Sequence, residues 1–326
     1  MTHRLVERWD RAQVPLYLAA IALGAVVGLA LPQVAPALEH AITPVLGLLL
    51  FATFLGVPLV EVGRSLRDVR FVVTVLTANF VVVPVVALAL SRFVADDRGL
   101  MLGVLLVLLT PCIDYVIVFT GLAGGARARL LAAAPLLMLL QMLLLPAYLV
   151  LAGPDVVDAV DIGPFVEAFL LLVVLPLAAA AIVQALARRH PAGRTVGRVA
   201  EDAMVPLMMV TLAVVVGSQV AAVGSQAATL VRVVPLYVAF VVAALVVGRA
   251  ASRVARLDVP ATRAVMFSVT TRNSLVVLPL ALALPADLAI VPLAVVTQTL
   301  VELVAMVVLV RLVPRLVRER APVGAS

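Results

Sequence analysis

The sequence predicts an all-α polytopic membrane protein: ten transmembrane helices in two inverted five-helix repeats, with broken helices crossing at the fourth and ninth spans. Three observations predict it. Hydrophobic residues make up 64% of the 326, mean hydropathy is +1.22 and charged residues stand at 13%, about half the share of ordinary soluble domains. Apolar runs of about 20 residues, the length that crosses a bilayer as a helix, recur ten times with short gaps. Arginine, which supplies every basic residue apart from the histidines, collects in alternate gaps.

Residues 1–13 are polar and carry Arg4, Arg8 and Arg11. The apolar run 14–31 is longer than a signal-peptide core and lacks a small-residue cleavage site, which makes it a retained first span. Further spans are predicted at 42–60, 71–90, 100–122, 130–152, 164–187, 202–221, 231–249, 262–284 and 287–312. The first repeat then occupies 14–152, the second 164–313, and 314–326 form a C-terminal tail. Alternate segments hold 20 of the 24 basic residues. The other side holds Arg92, Arg98 and Arg232, and Arg272 lies inside a span. The positive-inside rule therefore places both tails in the cytoplasm of a multi-pass inner-membrane protein. The loop charges themselves read as solvated surface and topology signal, with the acidic stretch around Asp155, Asp158 and Asp161 on the external side. A pI near 10.6 reflects that asymmetry and not a nucleic-acid surface. One cysteine excludes an intrachain disulfide. Metal-ligand spacing, nucleotide loops and nucleophile–base arrangements are missing, so the sequence implies no enzyme, no cofactor and no bound metal.

The two halves echo each other. Pro44, Gly56 and Gly63 return as Pro206, Gly217 and Gly224 at offsets of 162, 161 and 161, and Gln141 returns as Glu302 at 161. The same shift lays Pro111 on Arg272 and Cys112 on Asn273. Both halves thus interrupt their apolar pattern with polar residues at the same place. Inverted repeats whose discontinuous helices meet near the bilayer midplane are the signature of a secondary transporter, with the substrate site at the breaks.

Proline removes a backbone N–H and clashes with the preceding turn, so the fourth span is expected to unwind at Pro111 and restart just after it. The restarted end presents a partial positive charge to Cys112 and Asp114, which favours an anion or a thiolate. A plain kink at Pro111 and an inert thiol at Cys112 are the bland alternatives. Ionised side chains near the bilayer centre cost at least about 2.5–3.5 kcal/mol on insertion scales. Asp114 and Arg272 are therefore expected to face each other or a wet cavity, as a functional pair, a structural salt bridge, or with Asp114 capping the restarted helix. Thr110, Thr270, Thr271, Asn273 and Gln141 are secondary candidates, although Thr hydroxyls in membrane helices often bond back to their own helix. Glu302, with no cation near it in sequence, is a candidate proton carrier beside Asp114.

These residues resemble a known family. Pro111-Cys112, the run to Thr120 and Gly124-Gly125 resemble the fourth helix of the arsenite efflux permeases, a branch of the bile acid:sodium symporter superfamily. Gln141 with Pro146, Asn79 with Pro84, and Leu300-Val301-Glu302 resemble their fifth, third and tenth helices. The resemblance implies a ten-helix inverted-repeat fold and a cysteine, here Cys112, needed to export trivalent arsenic or antimony. It departs from the sodium-coupled relatives, which carry Ser-Asn where this chain has Val116-Ile117. They also carry an acidic residue before a Gln-Asn-Ser run where it has Ser268 and then Arg272, Asn273 and Ser274. Leu275 stands where arsenite permeases carry a glutamate. The expected partners are a small-molecule or metalloid anion, protons and the lipid bilayer. Pro111, Thr110, Thr271 and Asn273 join Cys112, Asp114 and Arg272 at the substrate site, supported by Gln141 and Asn79. The competing expectation keeps the fold, lacks sodium coupling and carries an organic anion on Arg272.

Overall fold

The computed structural model describes residues 13–56, 68–113, 115–152, 167 and 170–318. Asp114, the arginines at 64 and 67 and the acidic stretch 155–161 lie outside the described residues. The chain is nearly all helical. Its helices are α1 (Gln13–Ala30), α2 (Ala35–Gly56), α3 (Val69–Thr77), α4 (Val83–Ser91), α5 (Arg98–Leu108), α6 (Tyr115–Leu122) and α7 (Arg127–Ala152). They continue with α8 (Leu175–Ala187), α9 (Pro191–Ser225), α10 (Ala227–Leu230), α11 (Val233–Val254), α12 (Val259–Thr270), α13 (Ser274–Leu282) and α14 (Ile290–Leu316). Among the described residues, five helical stretches are long and apolar enough to cross a membrane, or six when the bent α7 is included. The chain is a membrane protein. One boundary differs from expectation by three turns: α9 starts at Pro191, not near 202. Proline at the first helical position favours a start there, and the polar turn carrying Arg194 and Arg198 holds nothing that stops the helix.

The helices sort into two compact units, and each takes segments from both halves of the sequence. The first comprises Met1–Pro58, Val160–Leu230 and Leu275–Val296. Here α1 approaches α9 at backbone distance through two glycines one turn apart. A Cβ on Gly24 would lie 2.4 Å from the Ala213 carbonyl oxygen, and one on Gly28 would lie 2.2 Å from that of Gly217. In lipid, where apolar side chains gain little by leaving their surroundings, such small-residue contacts supply packing that bulkier residues prevent. Gly28→Ala pushes a methyl into a backbone that cannot yield, an overpacking cost of about 1–3 kcal/mol. A fall in the thermal unfolding midpoint of the purified protein is the expected readout. At the end of α2, the Gln184 amide donates to the carbonyls of Phe54 and Leu55 at 3.0 and 3.1 Å, covering acceptors that the helix end leaves open.

The second unit comprises Leu59–Ala159, Val231–Ser274 and Thr297–Ser326. Three of its helices start on aspartate caps: Asp68, Asp97 and Asp258 accept from the backbone N–H of Phe71, Leu100 and Ala261. Arg129 reaches the free oxygens of two of these caps, Asp68 at 3.2 Å and Asp258 at 2.9 Å. Helix α6 ends where Gly124 takes φ +65°, with Gly125 N–H on the Thr120 carbonyl and Gly124 N–H on that of Gly121. This pattern closes a helix on a left-handed residue, which favours glycine. The Arg263 guanidinium donates to the carbonyls of Ala123 and Gly124 from one nitrogen and to that of Val317 from two others. Arg129 and Arg263 therefore gather helix ends while remaining partly exposed to solvent. Arg232, one of the arginines on the sparse side, is paired with Asp96 at 2.6 Å. Its hydrogen bonds hold the Asp96 carboxyl below its usual range.

Candidate functional site

Helix α5 stops at Leu108 and α6 begins at Tyr115, while α12 stops at Thr270 and α13 begins at Ser274. The two interruptions meet inside the second unit. Pro111 and Arg272 form an antiparallel bridge, closed by Cys112 N–H on the Thr271 carbonyl at 3.1 Å and Asn273 N–H on the Thr110 carbonyl at 2.8 Å. The offset of 161 maps one bond onto the other, since it carries residue 110 to 271 and 112 to 273. The threonines obey it too. Thr110 Oγ1 donates to the carbonyl of Leu106 and Thr271 Oγ1 to that of Phe267, each four residues back. Thr270 likewise bonds back to Met266. The hydroxyls of all three are thus engaged by their own helices.

The bridge leaves a precise debt in each helix. A carbonyl near a helix end is normally satisfied by the N–H four residues on. For Leu108, Ser268 and Val269 those donors belong to Cys112, Arg272 and Asn273, and all three have been diverted. Cys112 N–H bonds Thr271, Asn273 N–H bonds Thr110, and Arg272 N–H bonds the Glu302 carboxylate at 2.8 Å. The Arg272 side chain curls back and takes up the orphaned carbonyls. Its Nη1 donates to Leu108 at 3.2 Å, and its Nη2 donates to Ser268 at 3.0 Å and Val269 at 2.8 Å. Nη2 also donates to Asn79 Oδ1 at 2.8 Å, and the guanidinium carbon lies 5.3 Å from the centre of the Phe240 ring, within cation–π range. Arg272 is fully buried.

Asn79 is aimed by an irregular turn. The π-turn Ala78–Val82 separates α3 from α4, and the amide donates to Ser268 Oγ at 3.0 Å and to the Val75 carbonyl at 3.1 Å. Pro84 lacks the N–H that the Phe80 carbonyl would otherwise accept, and the Tyr148 hydroxyl of α7 donates to that carbonyl instead. Glu302, on α14, accepts from three sides: Tyr115 Oη at 2.5 Å, Gln298 Nε2 at 2.5 Å and Arg272 N. Tyr115 Oη also lies 3.3 Å from the Arg272 carbonyl oxygen.

Of the residues singled out by sequence, the structure brings Thr110, Pro111, Cys112, Thr271, Arg272, Asn273, Asn79 and Glu302 together. The Asp114 partner expected for Arg272 lies outside the described residues, and the partners that are described are carbonyl and amide oxygens. Gln141 is buried at the bend of α7 with neither amide atom partnered among the described residues. Sequence reasoning passed over Tyr115, Gln298 and Phe240. Gln298 was readable, because it sits four residues before Glu302 on the same face of α14. Tyr115 looked like the start of an apolar run, and Phe240 has no pattern that marks it. Buried polar atoms without a partner among the described residues include Arg272 Nε, Ser274 Oγ and Gln298 Oε1. They leave the crossing able to hydrogen-bond a guest. Elsewhere, the first unit holds a cavity of about 410 Å³ lined by Glu39, Ser218, Gln219, Ser225 and Gln226 among others. None of the residues of the crossing lines it.

Interrupted helices joined at buried polar breaks within a membrane protein are a feature of carriers. The sequence profile described as the Sodium Bile acid symporter family matches residues 43–232, more than half of the chain. The chain belongs to that family, and it is a membrane transporter that handles a small-molecule substrate. The first break lies inside the matched segment and the second beyond it. No curated protein matches the sequence.

Proposed function

We propose that the protein is a secondary active transporter exporting arsenite- or antimonite-type metalloids across the cytoplasmic membrane in exchange for protons. Ten spans form two inverted repeats, 14–152 and 164–313, with the tails 1–13 and 314–326 in the cytoplasm. The carrying observation is Cys112. The chain's one thiol, fully buried, sits in the bridged break one residue from Pro111 and three from Tyr115, which binds Glu302. Trivalent arsenic and antimony are soft and prefer sulfur donors, and a thiol enclosed at a helix break is a selective place to meet them. Pro111, Thr110, Thr271, Asn273 and Arg272 shape the surrounding backbone, while Gln141 and Asn79 support it. Glu302 and Asp114 carry the proton. The symmetric bonding of the bridge supports the inverted repeat, because a pseudo-two-fold axis passing between Pro111 and Arg272 and exchanging them would generate it. Sodium coupling has no place in this reading, since a guanidinium fills the crossing.

The test is resistance in a strain deprived of its own metalloid exporters. Wild type is expected to confer resistance to arsenite and antimonite, and Cys112→Ser to reduce it to the empty-vector level. Undiminished resistance in the serine variant defeats the soft-metalloid reading. Arg272 Nε, unpartnered among the described residues, favours a second reading, in which an organic anion is carried without sodium. Under it Cys112→Ser is tolerated while Arg272→Gln stops transport.

A further inference from the structure

We infer that the Arg272 guanidinium is a resident cation, filling an oxygen cage that would otherwise accept a free monovalent cation, so that this position of the carrier is permanently loaded. The cage consists of acceptors alone. Leu108, Ser268 and Val269 contribute carbonyl oxygens and Asn79 an amide oxygen, all at 2.8–3.2 Å from the guanidinium nitrogens. The carbonyls come from the C-terminal turns of α5 and α12, the ends at which helices carry partial negative charge. Each has lost its own backbone donor to the bridge or to Glu302. Asn79 cannot present its amide nitrogen instead, because that nitrogen is held by Ser268 Oγ and the Val75 carbonyl. The Phe240 ring face closes another side and also favours positive charge.

Four inward-pointing oxygens from three chain segments, buried inside the second unit, need a cation or several donors. Unwound carbonyls and helix C-termini of this kind hold coupling ions in carriers. The sodium that the family's name mentions does not fit beside the guanidinium. The side chain already occupies the oxygens, and a second positive charge within a few ångströms is repelled in a medium of low dielectric constant. Tethering removes the entropy cost of capturing a free ion and makes occupancy independent of external sodium. The inference does not rest on the metalloid reading. Its test reads stability instead of flux, so either can fail while the other stands.

The experiment compares thermal unfolding midpoints of the purified full-length protein in detergent with sodium, potassium or choline chloride at equal concentration. A ligand that binds only the folded state raises the midpoint. Wild type is expected to show the same midpoint in all three salts, and a saturable sodium-specific rise would overturn the inference. Three variants test the cage itself. Arg272→Lys, which keeps a tethered charge, is expected to melt at least about 5 °C above Arg272→Met, which keeps bulk alone. Arg272→Ala is expected to regain stability in low millimolar guanidinium chloride, a salt that only lowers the wild-type midpoint. Recovery of folded Lys variant where the Met variant yields none is the same result in stronger form. A Met variant as stable as the Lys variant, or an Ala variant indifferent to guanidinium, sodium and potassium alike, shows that the oxygens require no cation.

Discussion

Glu302→Ala is expected to destabilise the protein by about 3–5 kcal/mol, the usual cost of removing one member of a buried charged network. Glu302→Gln is expected to fold and stop transport. The carboxylate receives the Arg272 backbone N–H and the Gln298 amide on one oxygen and the Tyr115 hydroxyl on the other. Alanine leaves the first two donors without acceptors in a site that is fully buried. Glutamine has the same shape. Its Oε1 can accept from Arg272 and Gln298, while its Nε2 donates to Tyr115 Oη, whose proton turns to the Arg272 carbonyl 3.3 Å away. The amide thus satisfies every partner but cannot take up or release a proton. Thermal midpoints of the two variants measure the first claim and flux in liposomes the second. Equal stability of Ala and Gln would mean that the carboxylate does not hold the crossing, and undiminished proton-driven flux in the Gln variant would remove Glu302 from the coupling.

What the sequence could reveal of this site follows from how each residue departs from an apolar helix. Pro111, Cys112, Arg272 and Asn273 stand out because they interrupt long apolar runs, and the offset of 161 is a property of the letters alone. Thr110 and Thr271 stand out in the same way, yet their contribution is mainly through backbone atoms. The partners of Arg272 were not legible. Three of the four are main-chain carbonyls, which every residue possesses, and they become available only when the two breaks divert the N–H groups that would have bonded them. An argument from side-chain charge therefore seeks an aspartate for the arginine, when the cage is built from helix ends. The α1–α9 contact escaped for a related reason. Gly24 and Gly28 count as filler in a hydropathy window, and their four-residue spacing gains meaning only once a facing backbone is known. Charge in the loops was read for orientation, which is a bulk property. The capping work of Arg129 and Arg263 depends on which helix ends meet.

Asn79→Leu is expected to cost about 2–4 kcal/mol, combining a lost charge-assisted hydrogen bond with an orphaned buried hydroxyl, and Asn79→Asp is expected to cost far less. Leucine keeps the branching and heavy-atom count of the amide but is bulkier, so the variant loses the polar contacts and also crowds the buried π-turn. Arg272 Nη2 forfeits Oδ1, and Ser268 Oγ forfeits its amide donor. Aspartate keeps the acceptor and adds a charge opposite the guanidinium. Ser268 can reverse its role and donate to the carboxylate, because a hydroxyl rotates. The Val75 carbonyl, which loses the Asn79 amide, retains the Ala78 backbone N–H. The order of thermal midpoints should be wild type, then Asp close behind, then Leu well below. An Asp variant that melts with Leu would mean that the amide donor to Ser268, and not the oxygen facing Arg272, is what the π-turn supplies. A Leu variant that melts with wild type would detach Asn79 from the cage and leave the three carbonyls to hold the guanidinium without it.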